Sequence, residues 1–339
     1  MNPTRKNSRR CQIQALVSFR KLILLTLVLI CTEPQIFAEI PGNGAKISIV
    51  ATTSIIGDTA KAITGNTADV YALMGPGVDP HLYKPTRADM ATMSRADLLL
   101  VNGLLLEGKF EETFERLEKA GKTVIRLGNL LPESSLRTPP EFNNHHDPHI
   151  WMDPTIWSEV ARHIYESVSK ALPAQKQALA QNLKVFQDTL KSLDTYASKT
   201  LAQLPEQRRH LVTAHDAFGY FGRRYDLKIH SIQGISTESE AGVRQIEELV
   251  TNIVTNKIPA IFIESTVSPR NITALVEGCK AKGFPVIIGG ELYSDGMGAS
   301  DTYEGTYQGM IDHNITVIGR ALGATVPEKG LFGKLSLPG

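Results

Sequence analysis

Short runs of aliphatic and β-branched residues recur along the chain at helix-length intervals. They are KISIVAT (46–52), DVYALM (69–74), DLLLVN (97–102) and KTVIRL (122–127), then, after a long gap, RHLVTA (209–214), KIHSIQ (228–233), PAIFIE (259–264) and PVIIGG (285–290). Runs that stay apolar instead of alternating suit strands buried on both faces, and helix-length spacers suit crossover connections. The pattern predicts an α/β chain of two lobes, each with a four-stranded, mainly parallel sheet flanked by helices. Residues 173–205 fill the gap, with Pro173 and Pro205 at the ends and neither Gly nor Pro inside. There Leu179, Leu183, Phe186, Leu190, Leu193, Ala197, Leu201 and Leu204 recur at steps of three and four, the apolar stripe of one helix. At 1.5 Å per residue it would be roughly 45 Å long, enough to run along both lobes as a rigid connection. The expected divisions are a presequence at 1–38, an amino-terminal lobe at 39–172, a connecting helix at 173–204 and a carboxy-terminal lobe at 205–339.

The presequence changes the picture of where the protein works. Six basic residues precede position 22 and are followed by the apolar run LILLTLVLI (22–30), too short to span a bilayer and suited to a secretory signal. Ala38 offers a small residue at a cleavage point, and Cys31 is the alternative, a lipid-attachment site. Of the 36 basic and 35 acidic residues, six basic side chains and Glu33 lie in this segment, so the remainder carries an acidic excess of four. That argues against nucleic acid as a partner. Cys11 and Cys31 also lie there, which leaves Cys279 alone in the rest of the chain and excludes an internal disulfide or a cysteine metal site.

In open parallel sheets ligands sit beyond the carboxyl ends of the strands. The polar residues found there are His81 in GPGVDPHLYKP, His149 after the fourth strand, His215 directly after LVTA, Glu264 at the end of IFIE, and Asp295 in ELYSDGMG. No HExxH, CxxC, GxSxG, P-loop or GxGxxG stretch is present. Scattered strand-end histidines are what a metal site built between two lobes would need, since neutral imidazole is the commonest ligand of first-row divalent ions.

Four stretches, LMGPGVDPHLYKPTRADMATMSRADLLLVNGLLLEG (73–108), HIWMDP (149–154), TAHDAFGYFGRRY (213–225) and LYSDGMG (292–298), resemble in order the metal-binding substrate proteins of zinc and manganese ABC importers, the TroA-like group. The resemblance runs from about Ile47 to about Leu322 and implies one ligand from each stretch: His81, His149, His215 and Asp295. It implies a carrier rather than an enzyme, exported and monomeric, that takes one divalent transition metal, Zn2+ or Mn2+ ahead of Fe2+, to a membrane permease with its ATPase. Many manganese-binding members carry glutamate where His215 stands, so the metal stays open. The rival readings are a surface adhesin of the same family and an extracytoplasmic zinc metalloenzyme.

Three imidazoles and a carboxylate supply too few oxygens for magnesium or calcium, match tetrahedral zinc, and with a bidentate Asp295 would suit five-coordinate manganese. Protons should compete with the metal below about pH 6.5. His145 and His146 are read as a solvated loop, and His163, His210, His230 and His313 as non-ligands. Asp153 is read as a helix N-cap before Pro154, and Trp151 as packing at the mouth of the site. Glu264 is read as a supporting carboxylate, with Arg270 as its partner, or as a direct ligand. Asp216 would orient an imidazole or cap the helix starting at DAFGYF.

Overall fold

The structure is a computed structural model that describes residues 46–336; the expected presequence, with Cys11 and Cys31, lies outside the described residues. The first half opens with strand β1 (Ile47–Thr53), whose last residue accepts a hydrogen bond from the Ile56 N–H and so starts helix α1 (Ser54–Thr64). After it come β2 (Ala68–Met74), α2 (Arg87–Arg95), β3 (Leu98–Val101), α3 (Glu111–Lys119) and β4 (Thr123–Arg126). The strands form one parallel sheet in the order β2-β1-β3-β4. All four residues of β3 are buried, as an apolar run between two helical layers requires.

Two helices lead out of this half. Asp153 accepts from the Thr155 N–H and Pro154 occupies the first turn of α4 (Pro154–Ala171), the cap read from sequence. Helix α5 (Lys176–Leu201) follows a 3-10 turn at Pro173–Gln175, so the connecting helix is slightly shorter than the stripe suggested, about 39 Å at 1.5 Å per residue. Gln175 gives its amino end no side-chain cap, and the chain there winds more tightly. Every residue of the predicted stripe is buried.

The second half contains β5 (His210–Thr213), α6 (Gly219–Tyr225), β6 (Lys228–Ser231), α7 (Val243–Asn256), β7 (Ala260–Glu264), α8 (Arg270–Ala281), β8 (Ile287–Leu292) and α9 (Tyr307–Leu322). Its strands pair as two parallel ladders, β5-β6 and β7-β8, with β5 alongside β7. Next to this seam a side chain replaces backbone pairing: the His215 N–H donates to the Glu264 carboxylate, 2.8 Å away.

Helix α5 packs against α1 and α4 on one side and α9 on the other, and a single hydrophobic cluster runs from Ile49 in β1 through Leu190 in α5 to Ile318 in α9. Polar ties reinforce the junction. The Tyr307 N–H at the start of α9 donates to Asp58 in α1 at 2.8 Å, and the Tyr196 and Thr316 hydroxyls bond at 2.9 Å.

Candidate metal centre

The four residues picked out by the sequence motifs come together. His81 lies in the loop after β2, His149 opens the 3-10 turn that leads into α4, His215 sits two residues beyond β5, and Asp295 three beyond β8. One donor atom from each lies within 4.8 Å of the others, and all four residues are buried. His149 Nε2 is 3.3 Å from Asp295 Oδ1, His215 Nε2 is 3.2 Å and His81 Nε2 3.6 Å from Oδ2, and the His81 and His149 Nε2 atoms are 3.3 Å apart. Four ligands at zinc distances in a tetrahedron stand about 3.3 Å apart, so the spacing fits one ion. Both Asp295 oxygens and His215 Nε2 are buried and make no well-aligned hydrogen bond, so without an ion the carboxylate is matched only by the imidazoles around it.

Two of the imidazoles are held from behind. Asp147 Oδ1 accepts from the His149 backbone N–H at 3.0 Å and lies 2.8 Å from Nδ1, while its other oxygen pairs with Arg137. Glu264 does the same for His215, with Oε2 2.5 Å from Nδ1 and Oε1 taking the backbone N–H. A carboxylate on Nδ1 keeps one ring proton there, so the proton that an incoming metal displaces is the one on Nε2. Burial opposes charge on His149, yet Asp295 and Asp147 outweigh it and push the imidazole up to about 9. His215, equally buried, is raised well above its ordinary value by Glu264 and Asp295. His81 has no carboxylate behind it among the described residues, and burial pulls it down to about 3.

Several supporting assignments need correction. Glu264 is not paired with Arg270, which is exposed; both Glu264 oxygens serve His215. Asp216 neither orients a ring nor caps α6, whose start at Gly219 follows Phe218 without a side-chain cap; its Oδ1 has no partner. Trp151 is fully buried rather than at a mouth. Its ring lies 5.2 Å from that of His149 and its Nε1 donates to the Ser294 carbonyl, tying the His149 turn to the residue beside Asp295. Asp147 was missed, although it stands two positions before His149 in DPH, the signal that could have found it.

The other histidines stand apart. His146 contacts Thr138 and Glu133, His145 packs on Phe142, and His163 contacts Arg162 and Glu166. His210 and His230 stack on each other, and His313 bonds the Glu291 carbonyl.

Parallel sheets in two halves joined by a long helix, with three buried imidazoles gathered on one carboxylate, fit the class of metal-binding substrate-binding proteins. Residues 49–321 match the family described as ZnuA, the periplasmic component A of zinc-uptake complexes, and the chain belongs to that family. It is 43% identical to the manganese-binding lipoprotein MntA of Bacillus subtilis, over 82% of this chain and 90% of that protein. It is also 43% identical to the zinc-binding protein TroA of Treponema pallidum, over 81% of this chain and 88% of that protein. The solved structure of the Treponema pallidum protein superposes with a TM-score of 0.80, covering 82% of this chain and 99% of that one.

Proposed function

We propose that this protein captures one divalent transition metal through His81, His149, His215 and Asp295 and hands it to the membrane permease of an ABC importer driven by its ATPase. The observation that carries the reading is the cluster of four buried donors, three imidazoles gathered on the Asp295 carboxylate with one atom of each within 4.8 Å of the others. The metal is cargo, so the site must release as well as hold it. Four protein ligands leave no position for an activated water, which favours a carrier over a hydrolase with three ligands and a labile fourth.

Zinc is the ion the donor set prefers at equilibrium. Three nitrogens with one carboxylate oxygen suit its tetrahedral geometry, and manganese lies at the weak end of the affinity order for divalent ions. The two oxygens of Asp295 face different imidazoles, so a bidentate carboxylate gives manganese a fifth ligand. Two relatives at the same identity are named for manganese and for zinc, so overall similarity does not choose between them. Supply and the permease would then decide which ion is carried.

Export is part of the reading. Among the described residues no helix is long and apolar enough to cross a membrane, and the Bacillus subtilis relative is a lipoprotein, which supports Cys31 as an attachment point beside cleavage after Ala38. The intact mass of the mature protein separates the two.

Elemental analysis of the purified protein followed by competition between zinc and manganese tests the assignment. A ligand that binds the folded form stabilises it by roughly 4 kcal/mol at a thousandfold excess over Kd. Alanine at His81 or His215 should largely abolish that thermal shift; an unchanged shift in both variants would rule the four-ligand site out.

A further inference from the structure

The three imidazoles are not held alike. His149 and His215 each have a carboxylate on Nδ1 and a backbone N–H bonded to the same group. His81 is fixed through its backbone alone, its N–H donating to Asp79 Oδ1 at 2.9 Å. Asp79 is in turn held from the opposite half, where the Thr237 hydroxyl donates to its Oδ2 at 2.6 Å. Thr237 is buried, at 7% exposure, although it belongs to the loop 232–242 between β6 and α7.

That loop is rooted beside another donor. The Gln233 N–H donates to the Ala214 carbonyl and the Asp216 N–H to the Gly234 carbonyl, on either side of His215. It therefore links the His215 segment to the His81 segment. The adjacent Glu238 pairs with Lys109, but both side chains are largely exposed and such a pair contributes little. The hydroxyl–carboxylate bond of Thr237 is the stronger cross-link, being charge-assisted and partly buried. Nearby, Gly77 in the His81 loop has φ +71°, a conformation that favours glycine, and its backbone nitrogen lies beside Gly296 of the second half.

We propose that Thr237 is a positioning residue for His81. Through Asp79 it fastens the one imidazole that lacks its own carboxylate to the opposite half, and so sets how fast a bound ion is released. The inference rests on the four-ligand reading given above. Breaking the Thr237–Asp79 bond frees the His81 loop while leaving His149, His215 and Asp295 in place, so the ion keeps three ligands but leaves sooner.

The experiment follows zinc release from the full chain into excess chromophoric chelator by stopped flow. Thr237→Val, which keeps the shape and loses the hydroxyl, should release zinc about ten- to a hundredfold faster, the range that a lost hydrogen bond to a charged group converts to. Thr237→Ser should release at the wild-type rate, and circular dichroism with a cooperative melt should show that metal-free Thr237→Val, somewhat less stable for the lost hydrogen bond, is still folded. Asp79→Ala should release faster still, and adding Thr237→Val to it should bring no further acceleration. Release from Thr237→Val at the wild-type rate, or equal acceleration by Ser and Val, would overturn the proposal. His215→Ala, run in parallel, separates the two readings. If it loses zinc while Thr237→Val behaves as wild type, the positioning role alone fails; if it retains zinc like wild type, the four-ligand site fails and the role of Thr237 with it.

Discussion

Replacing Glu264 by glutamine isolates what a carboxylate behind a metal-site imidazole does. Both contacts of Glu264 come from one residue, the His215 backbone N–H at 2.8 Å and Nδ1 at 2.5 Å, and both must donate. Glutamine has the same shape but presents one acceptor and one donor. If its oxygen keeps the backbone N–H, its NH2 faces Nδ1 and is satisfied only when the ring proton moves to Nε2, which removes the lone pair a metal needs. If its oxygen keeps Nδ1–H, two donors face each other and a buried N–H goes unpaired, costing about 1–3 kcal/mol. Loss of a group behind a metal-bound histidine typically weakens metal binding by about 10–100-fold, or about 1.4–2.7 kcal/mol, and Glu264→Gln should lie at the upper end.

Asp147 provides the comparison within the same molecule. Its Oδ1 alone takes both contacts from His149, while the other oxygen pairs with Arg137. Asp147→Asn can therefore keep the His149 tautomer and sacrifice only the Arg137 contact, so its loss should be the smaller of the two. Zinc affinity by chelator competition at one fixed pH measures both variants. The tautomer argument is wrong if Glu264→Gln binds as tightly as wild type, or if Asp147→Asn is the weaker binder.

Three further outcomes follow from the site and its setting. In the metal-free protein His149 is raised to about 9 and His215 is raised well above its ordinary value, while His81 is already neutral, so binding near neutral pH should expel two ring protons. Affinity should then climb with pH until about 9 rather than fall off only below about 6.5, and binding heats in buffers of different ionisation enthalpy count the protons; none released would contradict the geometry. Because those raised values stabilise the folded metal-free form below about pH 6.5 and the benefit is lost as pH rises through about 9, its melting temperature should drop across that interval. Structures with and without metal should differ in the loops carrying His81 and Asp295, with the halves nearly fixed, since α5 has no Gly or Pro and is buried against both; a large rigid-body rotation with unchanged loops would refute this.

The elements were legible because each carries its own short-range signal. Among the described residues the apolar runs match all eight strands within a few residues, and the stripe from Leu179 to Leu204 matches α5, which stops at Leu201. The four site residues were reachable because each follows a strand and sits in a recognisable stretch. The groups behind them were less so. Glu264 is 49 positions from His215, and nothing local distinguishes a carboxylate that serves a distant ring from one that pairs with the nearby Arg270. Asp216 had the better local position and turned out to serve neither role. Trp151 was misplaced because its partner, the Ser294 carbonyl, lies 143 residues away in the other half. The Thr237–Asp79 bond spans 158 residues and left no trace in any single stretch.

The hydrophobic cluster that runs from β1 through α5 to α9 bears on how the molecule unfolds. Each half has a hydrophobic cluster of its own, around Phe114 in the first and around Ile253 in the second, but the largest cluster is shared and takes in α5 with residues from both. The described chain should therefore melt as one cooperative unit, and an ion held by residues from both halves tightens that whole unit rather than one lobe of it. The four ligands come from segments outside α1, α4, α5 and α9, so an exchange of one donor for another can retune the metal preference without changing the helices that join the halves.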